Sequence, residues 1–220
     1  MSSRFIVYFA DPLCSWCYGF GPELDALMEK VPGVRLDVVM GGLRPFNTKP
    51  MSPEFREMLD GHWHHVQAET GLPFNAAALE RKGFVYDTEP ACRAVATARA
   101  MDSAFAMPML ASVHRAFYRD GRDVTATDVL ADLAKQEGLD RAKFVASFVS
   151  TDMRDETRLD FASAQQMGVT GFPTLAVGYP NGQLFLLASG FTRADVLVER
   201  FERVEEAAAK SGIRRVQGDD

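Results

Sequence analysis

Two cysteines near the start of the chain, Cys14 and Cys17, have the spacing of a reactive dithiol. Three positions along a helix make almost one turn, so the two sulfurs can come close enough to form a disulfide. The apolar run 5–10 predicts a buried strand that Asp11-Pro12 ends, and residues 24–30 fit a helix. The pair therefore lies where a strand passes into a helix. This position favours a redox dithiol over a Cys-x-x-Cys pair that occurs by chance.

The predicted helix gives the two thiols different roles. The first turn of a helix leaves backbone N–H groups without partners and is the positive end of the helix dipole, so it stabilises a thiolate. Cys14, expected to be exposed in this first turn, is therefore the predicted attacking thiolate. Cys17, one turn further in, would resolve a mixed disulfide by attacking the sulfur of Cys14.

The same two cysteines could instead form half of a structural zinc site. Such a site needs about four ligands in a closed shell. The other candidate ligands lie on different segments of the chain: Cys92, His114, His62, His64 and His65. Because the sequence has no second Cys-x-x-Cys, a redox dithiol is favoured and no metal is predicted.

Two segments of the chain resemble a known family. Residues 11–20 resemble the active-site segment of the DsbA-like thioredoxin superfamily, and most of all its cytoplasmic, FrnE-like branch of dithiol–disulfide oxidoreductases. Residues 168–175, Gly-Val-Thr-Gly-Phe-Pro-Thr-Leu, resemble the cis-proline loop that faces the dithiol in that fold. The resemblance covers most of the chain. It implies an α/β protein with a thioredoxin fold and a large all-helical insertion.

The resemblance also implies which residues form the site. The cis-proline loop would present its backbone to an extended substrate segment, as in strand-like pairing, and the residue between the cysteines would form an apolar rim. The implied catalytic residues are Cys14, Cys17 and Pro173, and the implied substrate-binding residues are Trp16, Phe172 and Gly171. Without the resemblance, Pro173 is an ordinary loop proline, because only about 5–6% of X-Pro bonds in folded proteins are cis.

Other reactive side chains receive less specific predictions. His62, His64 and His65 are expected on a solvated helix face, with a role in substrate steering or thiolate tuning if that helix borders the dithiol. Cys92, among alanines, is expected to be a buried and inert packing residue. Asp11 adds a negative charge near Cys14, and no histidine lies between the cysteines. The thiolate should therefore be less stabilised than in strongly oxidising DsbA proteins.

The order of elements fits this fold. A second strand at 34–40 completes a βαβ unit, so its two strands should be parallel neighbours. Helical signals then follow, including caps at Ser52, at Thr125 with Asp128, and at Asp140. Strands at 174–177 and 183–188 flank an Asn-Gly hairpin turn, and a helix follows at 193–210. The predicted domains are a discontinuous thioredoxin domain (1–45 and 168–212), a helical insertion (46–167) and a frayed tail (213–220).

Composition limits the cellular role. The chain has 220 residues, 47% of them hydrophobic, so it can form a substantial core. A net charge of −6 argues against non-specific binding to nucleic acid or anionic membranes. The first apolar run is too short for a signal peptide or a membrane span, so a cytoplasmic location is expected, with the dithiol mostly reduced. The sequence does not specify an oligomeric state.

The predicted function is thiol–disulfide oxidoreductase or isomerase. Its partners would be protein or small-molecule thiols and disulfides, and it would need no cofactor beyond its own dithiol, with glutathione as a candidate reductant. Three alternatives stay open: a glutathione-dependent transferase or isomerase of the kappa type, a non-enzymatic adaptor on the same scaffold, and direct oxidation of a small metabolite. The kappa group typically has serine at the position of Cys14 and lacks the second cysteine, which counts against it.

Overall fold

The computed structural model describes residues 4–210, in which four strands form one sheet in the order β2-β1-β3-β4. The strands are β1 (Phe5–Ala10), β2 (Arg35–Met40), β3 (Thr174–Gly178) and β4 (Leu184–Ser189). Strand β1 pairs in parallel with β2 and antiparallel with β3, and β3 pairs antiparallel with β4. The four predicted strands and the parallel pairing are confirmed. The predicted tail, 213–220, lies outside the described residues.

Helices make up most of the remaining chain. Their bounds are α1 (Ser15–Lys30), α2 (Pro53–Thr70), α3 (Ala77–Glu80), α4 (Glu89–Met101), α5 (Ala106–His114), α6 (Thr127–Gln136), α7 (Arg141–Phe148), α8 (Thr151–Gln166) and α9 (Ala194–Lys210). A short 3₁₀ segment, Ser103–Phe105, precedes α5, and a π-helical turn, Arg115–Arg119, continues it. No helix between residues 4 and 210 has the length and apolar composition needed to cross a membrane.

Of the helix caps named above, those at Ser52 and Asp140 form. The Ser52 side chain accepts a hydrogen bond from the backbone N–H of Phe55, and the Asp140 carboxylate accepts one from Lys143. The cap predicted at Thr125 is wrong. The helix begins after Ala126, and the Thr125 hydroxyl instead donates to the Asp123 carboxylate at 2.6 Å. The same carboxylate oxygen also accepts from the backbone N–H of Thr125, so a local turn at Asp123 holds this residue outside the helix.

The sheet has unequal cores on its two faces. Alternate residues of β1, among them Ile6 and Tyr8, join a large cluster that also contains most of the buried helical side chains. The other residues of the strand, Val7 and Phe9, belong to a small cluster with Ala164 of α8. Because the large cluster includes side chains of both the sheet and the helical segment 53–166, the two parts share one core. The division into domains stays a prediction.

An ion pair and its hydrogen bonds to the backbone join the helical segment to the sheet. The Arg99 guanidinium of α4 makes two hydrogen bonds, of 2.8 and 2.9 Å, with the Asp160 carboxylate of α8. Asp160 also accepts from the backbone N–H of Met40, and Arg99 donates to the carbonyl of Val38. These bonds fix the end of β2, from which the chain passes to the loop beside the dithiol.

Candidate active site

Cys14 is the N-cap residue of α1. Its backbone N–H donates to the carbonyl of Asp11 at 3.0 Å, which closes a tight turn directly after β1. Its own carbonyl accepts from the N–H groups of Cys17 and Tyr18, so α1 begins there. The thiol lies at the positive end of the α1 dipole, as the sequence predicts.

The expected exposure of Cys14 is wrong. Only 8% of the residue is exposed, although Cys17, at 0%, is buried more deeply. Side chains of α2 and the loop before β3 cover the start of α1, and both are far away in the sequence. The sulfur is therefore reached through a groove and not across an open surface.

The loop before β3 lies against this sulfur. The thiol of Cys14 donates to the carbonyl of Phe172 at 3.4 Å, and the Phe172–Pro173 peptide bond is cis, as predicted. The carbonyl of Gly171 accepts from the hydroxyl of Thr174, which fixes the turn into β3. The structure thus brings the two predicted segments together.

The ring of Phe172 needs a glycine beneath it. It packs where β2 ends, and a Cβ atom on Gly41 would lie 2.0 Å from the nearest ring atoms. The N–H of Gly41 donates to the carbonyl of Ala10, so the backbone there is fixed too. Gly41 therefore helps to place the Phe172 carbonyl beside Cys14, a role that no sequence signal indicated.

Cys17 is buried behind Cys14. Burial raises the pKa of its thiol well above the usual value, and the neighbouring Cys14 raises it further. The backbone N–H of Asp11 acts in the opposite direction, because a hydrogen bond to a thiolate favours the charged form. All three cysteines are free thiols in this structure.

Asp11 connects the dithiol turn to the loop after β2. One of its carboxylate oxygens accepts from the backbone N–H of Leu13 at 2.9 Å, and the other from that of Leu43 at 2.6 Å and from the thiol of Cys92 at 3.3 Å. Burial raises the pKa of this carboxyl, and the backbone hydrogen bonds lower it. The sequence indicated only a nearby charge; the structure makes Asp11 a buried anchor of the turn.

Cys92 is fully buried, as predicted. Burial raises the pKa of its thiol, and the charge of Asp11 adds to the increase. Both effects keep the group protonated, so that it serves as a hydrogen-bond donor to Asp11.

The sulfur of Cys14 opens into a groove of about 400 Å³, which we call the dithiol groove. It is lined by Leu13, Cys14, Ser15, Trp16, Leu43, Arg44, Phe55, Met58, Leu59, His62, Tyr86, Gly171 and Phe172. Four of these residues, Phe55, Met58, Leu59 and His62, follow the spacing of one helical face along α2. The predicted site residues Trp16, Gly171 and Phe172 all line the groove, and Pro173 adjoins it.

Trp16 and the histidines meet at one edge of this groove. Trp16 is half-buried and packs against Phe191 and, edge to face, against His65. His62, His64 and His65 are all exposed, as predicted, and the helix that holds them does border the dithiol. Only His62 lines the groove, whereas His64 contacts the backbone carbonyl of Asp60.

Tyr86 is a site residue that the sequence did not indicate. Its hydroxyl donates a short hydrogen bond to the carbonyl of Leu13, the residue before Cys14, and its ring forms part of the groove wall. Burial raises the pKa of this phenol. Tyr86 is therefore a neutral donor that positions the dithiol turn.

Metal ligation receives no support from the described residues. Between residues 4 and 210, no three or more histidine, cysteine, aspartate or glutamate side chains are grouped so that they could hold a metal ion.

The chain is similar to several solved structures. A candidate protein disulfide isomerase from Nitrosomonas europaea is 32% identical, with a TM-score of 0.86 over 94% of this chain and 99% of that one. The cytosolic disulfide reductase DsbM from Pseudomonas aeruginosa is 30% identical, with a TM-score of 0.77 over 93% of this chain and all of the other. A second DsbM structure, with GSH, gives 29% identity and 0.76.

Among curated proteins, the ClpXP adapter protein SpxH of Halalkalibacterium halodurans is 25% identical over 174 residues, which are 77% of this chain. The chain spans only about half, 56%, of that relative's length. The match to a family model is far more extensive, since the DSBA-like thioredoxin domain covers residues 5–202 and so includes both the dithiol and the cis-proline loop. The chain belongs to the DSBA-like thioredoxin family.

Proposed function

We propose that this protein is a thiol–disulfide oxidoreductase that works through the Cys14–Cys17 dithiol and a mixed disulfide at Cys14. The observation that carries the proposal is the position of the Cys14 sulfur. It lies at the start of α1, opens into the dithiol groove, and is 3.4 Å from the carbonyl of Phe172. Cys17 is one turn further along the same helix, on the buried side.

In the first step the Cys14 thiolate attacks one sulfur of a substrate disulfide. A bond forms between Cys14 and that sulfur while the substrate S–S bond breaks, and the other half leaves as a thiolate that takes a proton from water. The attacking sulfur lies at the N-terminal, positive end of the α1 dipole.

In the second step Cys17 attacks the sulfur of Cys14. The Cys14–Cys17 disulfide forms, the second substrate thiolate leaves, and the substrate disulfide has been reduced by two electrons. Because burial raises the pKa of Cys17, its proton has to leave at this step, and the departing substrate thiolate takes up a proton in turn, through water. The Asp11 N–H stabilises the Cys17 thiolate in between. The reverse sequence oxidises a dithiol substrate. Isomerisation would begin with the same first step, but a second substrate thiolate, in place of Cys17, would attack the substrate sulfur of the mixed disulfide and release Cys14 with no net oxidation.

The groove supports substrate binding by backbone and apolar contacts. The Phe172 carbonyl is an acceptor for an extended substrate segment beside the sulfur, and Trp16 supplies an apolar rim. Reduction by glutathione, with no other cofactor, and a cytoplasmic location complete the proposal. Their support is the similarity to the cytosolic reductase DsbM, of which a structure with GSH is known.

The decisive experiment is to trap the mixed disulfide. A Cys17→Ser variant should accumulate substrate bound to Cys14, because the resolving thiol is gone. Mass spectrometry of the trapped species under non-reducing conditions identifies the bound partner. The control is the double variant that carries both Cys14→Ser and Cys17→Ser. Equal trapping by the single and the double variant would contradict the proposal.

An adaptor that delivers a client protein is the second candidate, supported by the similarity to the ClpXP adapter SpxH. The two functions differ in their need for the thiol. Turnover of a model disulfide by the wild type but not by Cys14→Ser favours the enzyme. Client binding that persists in Cys14→Ser, without turnover by the wild type, favours the adaptor.

A further inference from the structure

The charge of the dithiol groove is opposite to that of the protein. The chain has a net charge of −6, yet neither an aspartate nor a glutamate is among the described residues that line the groove. The ionisable groups there, apart from the thiol and the phenol of Tyr86, are Arg44 and His62, and Arg44 is permanently positive.

Arg44 is held in place by its backbone and by an aromatic ring. Its N–H donates to the Thr88 hydroxyl at 3.1 Å, and its carbonyl accepts from the N–H of Thr88 at 3.3 Å. The guanidinium lies over the ring of Phe55, 4.3 Å from the ring centre. An arginine that stacks in this way loses less freedom when it binds an anion.

The guanidinium has no carboxylate of its own. Most arginines between residues 4 and 210 are within ion-pair distance of an aspartate or a glutamate, but in that same range no acidic side chain lies within 4.0 Å of Arg44. Its donors also make no side-chain hydrogen bond within that range. Arg44 is thus an exposed cation that stacks on Phe55 and lines the same groove as the reactive sulfur. Such a guanidinium is suited to bind a planar anion, because its donors match the two oxygens of a carboxylate.

We infer that Arg44 selects substrates that carry a carboxylate near the reacting sulfur, as a small acidic thiol or an acidic peptide does. This inference rests on the proposed exchange reaction and names its substrate class. The carboxylate pairs with Arg44 while the substrate sulfur meets Cys14, so the charge orients the disulfide for attack.

The inference can be tested with three small disulfides of similar size and different charge. We would measure second-order rates for the reduced protein with dithiodipropionate (anionic), bis-hydroxyethyl disulfide (neutral) and cystamine (cationic). Arg44→Gln should lower the ratio of the anionic to the neutral rate about three- to tenfold, as expected for one partly solvated, charge-assisted pair. The difference between wild type and variant should shrink as salt is added.

Lys49→Gln is the matched control. Lys49 is an exposed cation of the same loop that does not line the groove, so its removal changes net charge equally and should keep the ratio. Arg44→Lys should recover only part of the selectivity, because an ammonium cannot bind a carboxylate through two parallel bonds.

Two results would overturn the inference. If Arg44→Gln lowers all three rates equally, Arg44 acts on the thiol or the fold and not on the substrate charge. If Lys49→Gln lowers the ratio as much as Arg44→Gln, the net charge of the protein sets the selectivity, and contact with Arg44 does not. A wild type that exchanges with none of the three disulfides would instead refute the proposed function, and the selectivity with it.

Discussion

One wall of the dithiol groove is formed by residues adjacent to the thioredoxin-fold strands, and the facing wall by the helical segment. Trp16, Gly171 and Phe172 form the first wall, where one carbonyl is within hydrogen-bond distance of the reactive sulfur. Phe55 and Met58 of α2 belong to the second wall and offer apolar surface only. The reacting sulfur and its hydrogen-bond partner therefore belong to one part of the chain, and the other part supplies mainly apolar contact.

The two parts also differ in how their residues are held. On the thioredoxin side, Asp11 and the Phe172 backbone fix atoms around the sulfur through hydrogen bonds. On the helical side, Met58 is 45% exposed, so its side chain can be varied with little cost in stability. Four sets of variants, given in decreasing order of expected effect, test this contrast between the walls.

Cys14→Ser should lower the rate of disulfide exchange by about three orders of magnitude or more, since the attacking atom is lost. Met58→Ala on the opposite wall should lower it only a few-fold, because it removes apolar contact and no reacting group. Stopped-flow exchange with a protein disulfide measures both. Similar losses in the two variants would remove the distinction between the walls.

The helical segment should cause most of the loss of folding stability at acidic pH. Burial lowers the pKa of His114 to about 4 from a normal value of 6.5, so the unfolded chain binds this proton first. Its contribution to stability is complete above pH 6.5 and is lost as the pH falls towards 4, which amounts to about 3 kcal/mol. Asp11, whose pKa burial raises, acts in the opposite sense, because its contribution is lost as the pH rises.

The test of this contrast is denaturant unfolding between pH 8 and pH 4. His114→Gln should be less stable than the wild type at pH 8 but should lose less stability on acidification. An unchanged slope would mean that other groups cause the acid sensitivity.

Gly41→Ala should disturb the reactive wall without touching a thiol. The added methyl group would collide with the Phe172 ring, so the ring must move, at a cost of about 1–3 kcal/mol. Exchange should slow as well, since the Phe172 carbonyl lies beside Cys14. Gly61→Ala is the control. A Cβ there, on the exposed part of α2, meets no atom within 4 Å, so stability should stay the same or rise slightly.

Tyr86→Phe should have the smallest effect. It removes one hydrogen bond to the Leu13 carbonyl and leaves the ring, so the stability loss should be about 1 kcal/mol. Exchange should slow a few-fold if this bond positions the dithiol turn, and alkylation of Cys14 by iodoacetamide reports the same change. A variant with normal rates and lowered stability would limit Tyr86 to a structural role.

Local signals determined a large part of this protein. Strand β1, the Asp-Pro turn, the dithiol at the start of α1, the caps at Ser52 and Asp140, and the hairpin between β3 and β4 were all predicted, because each depends on residues a few positions apart. The cap at Thr125 failed within this same range, because Asp123 holds Thr125 in a local turn and the helix begins after Ala126.

Tertiary structure decided what surrounds the sulfur. The burial of Cys14, the contact of Phe172 with Gly41, the bond between Asp11 and Cys92, and the presence of Arg44 in the groove all join residues that are roughly thirty to one hundred and sixty positions apart. No local pattern encodes such contacts, because they exist only once the sheet and the helical segment pack on one core. The sequence thus determined which atoms react, and the packing determined what can reach them.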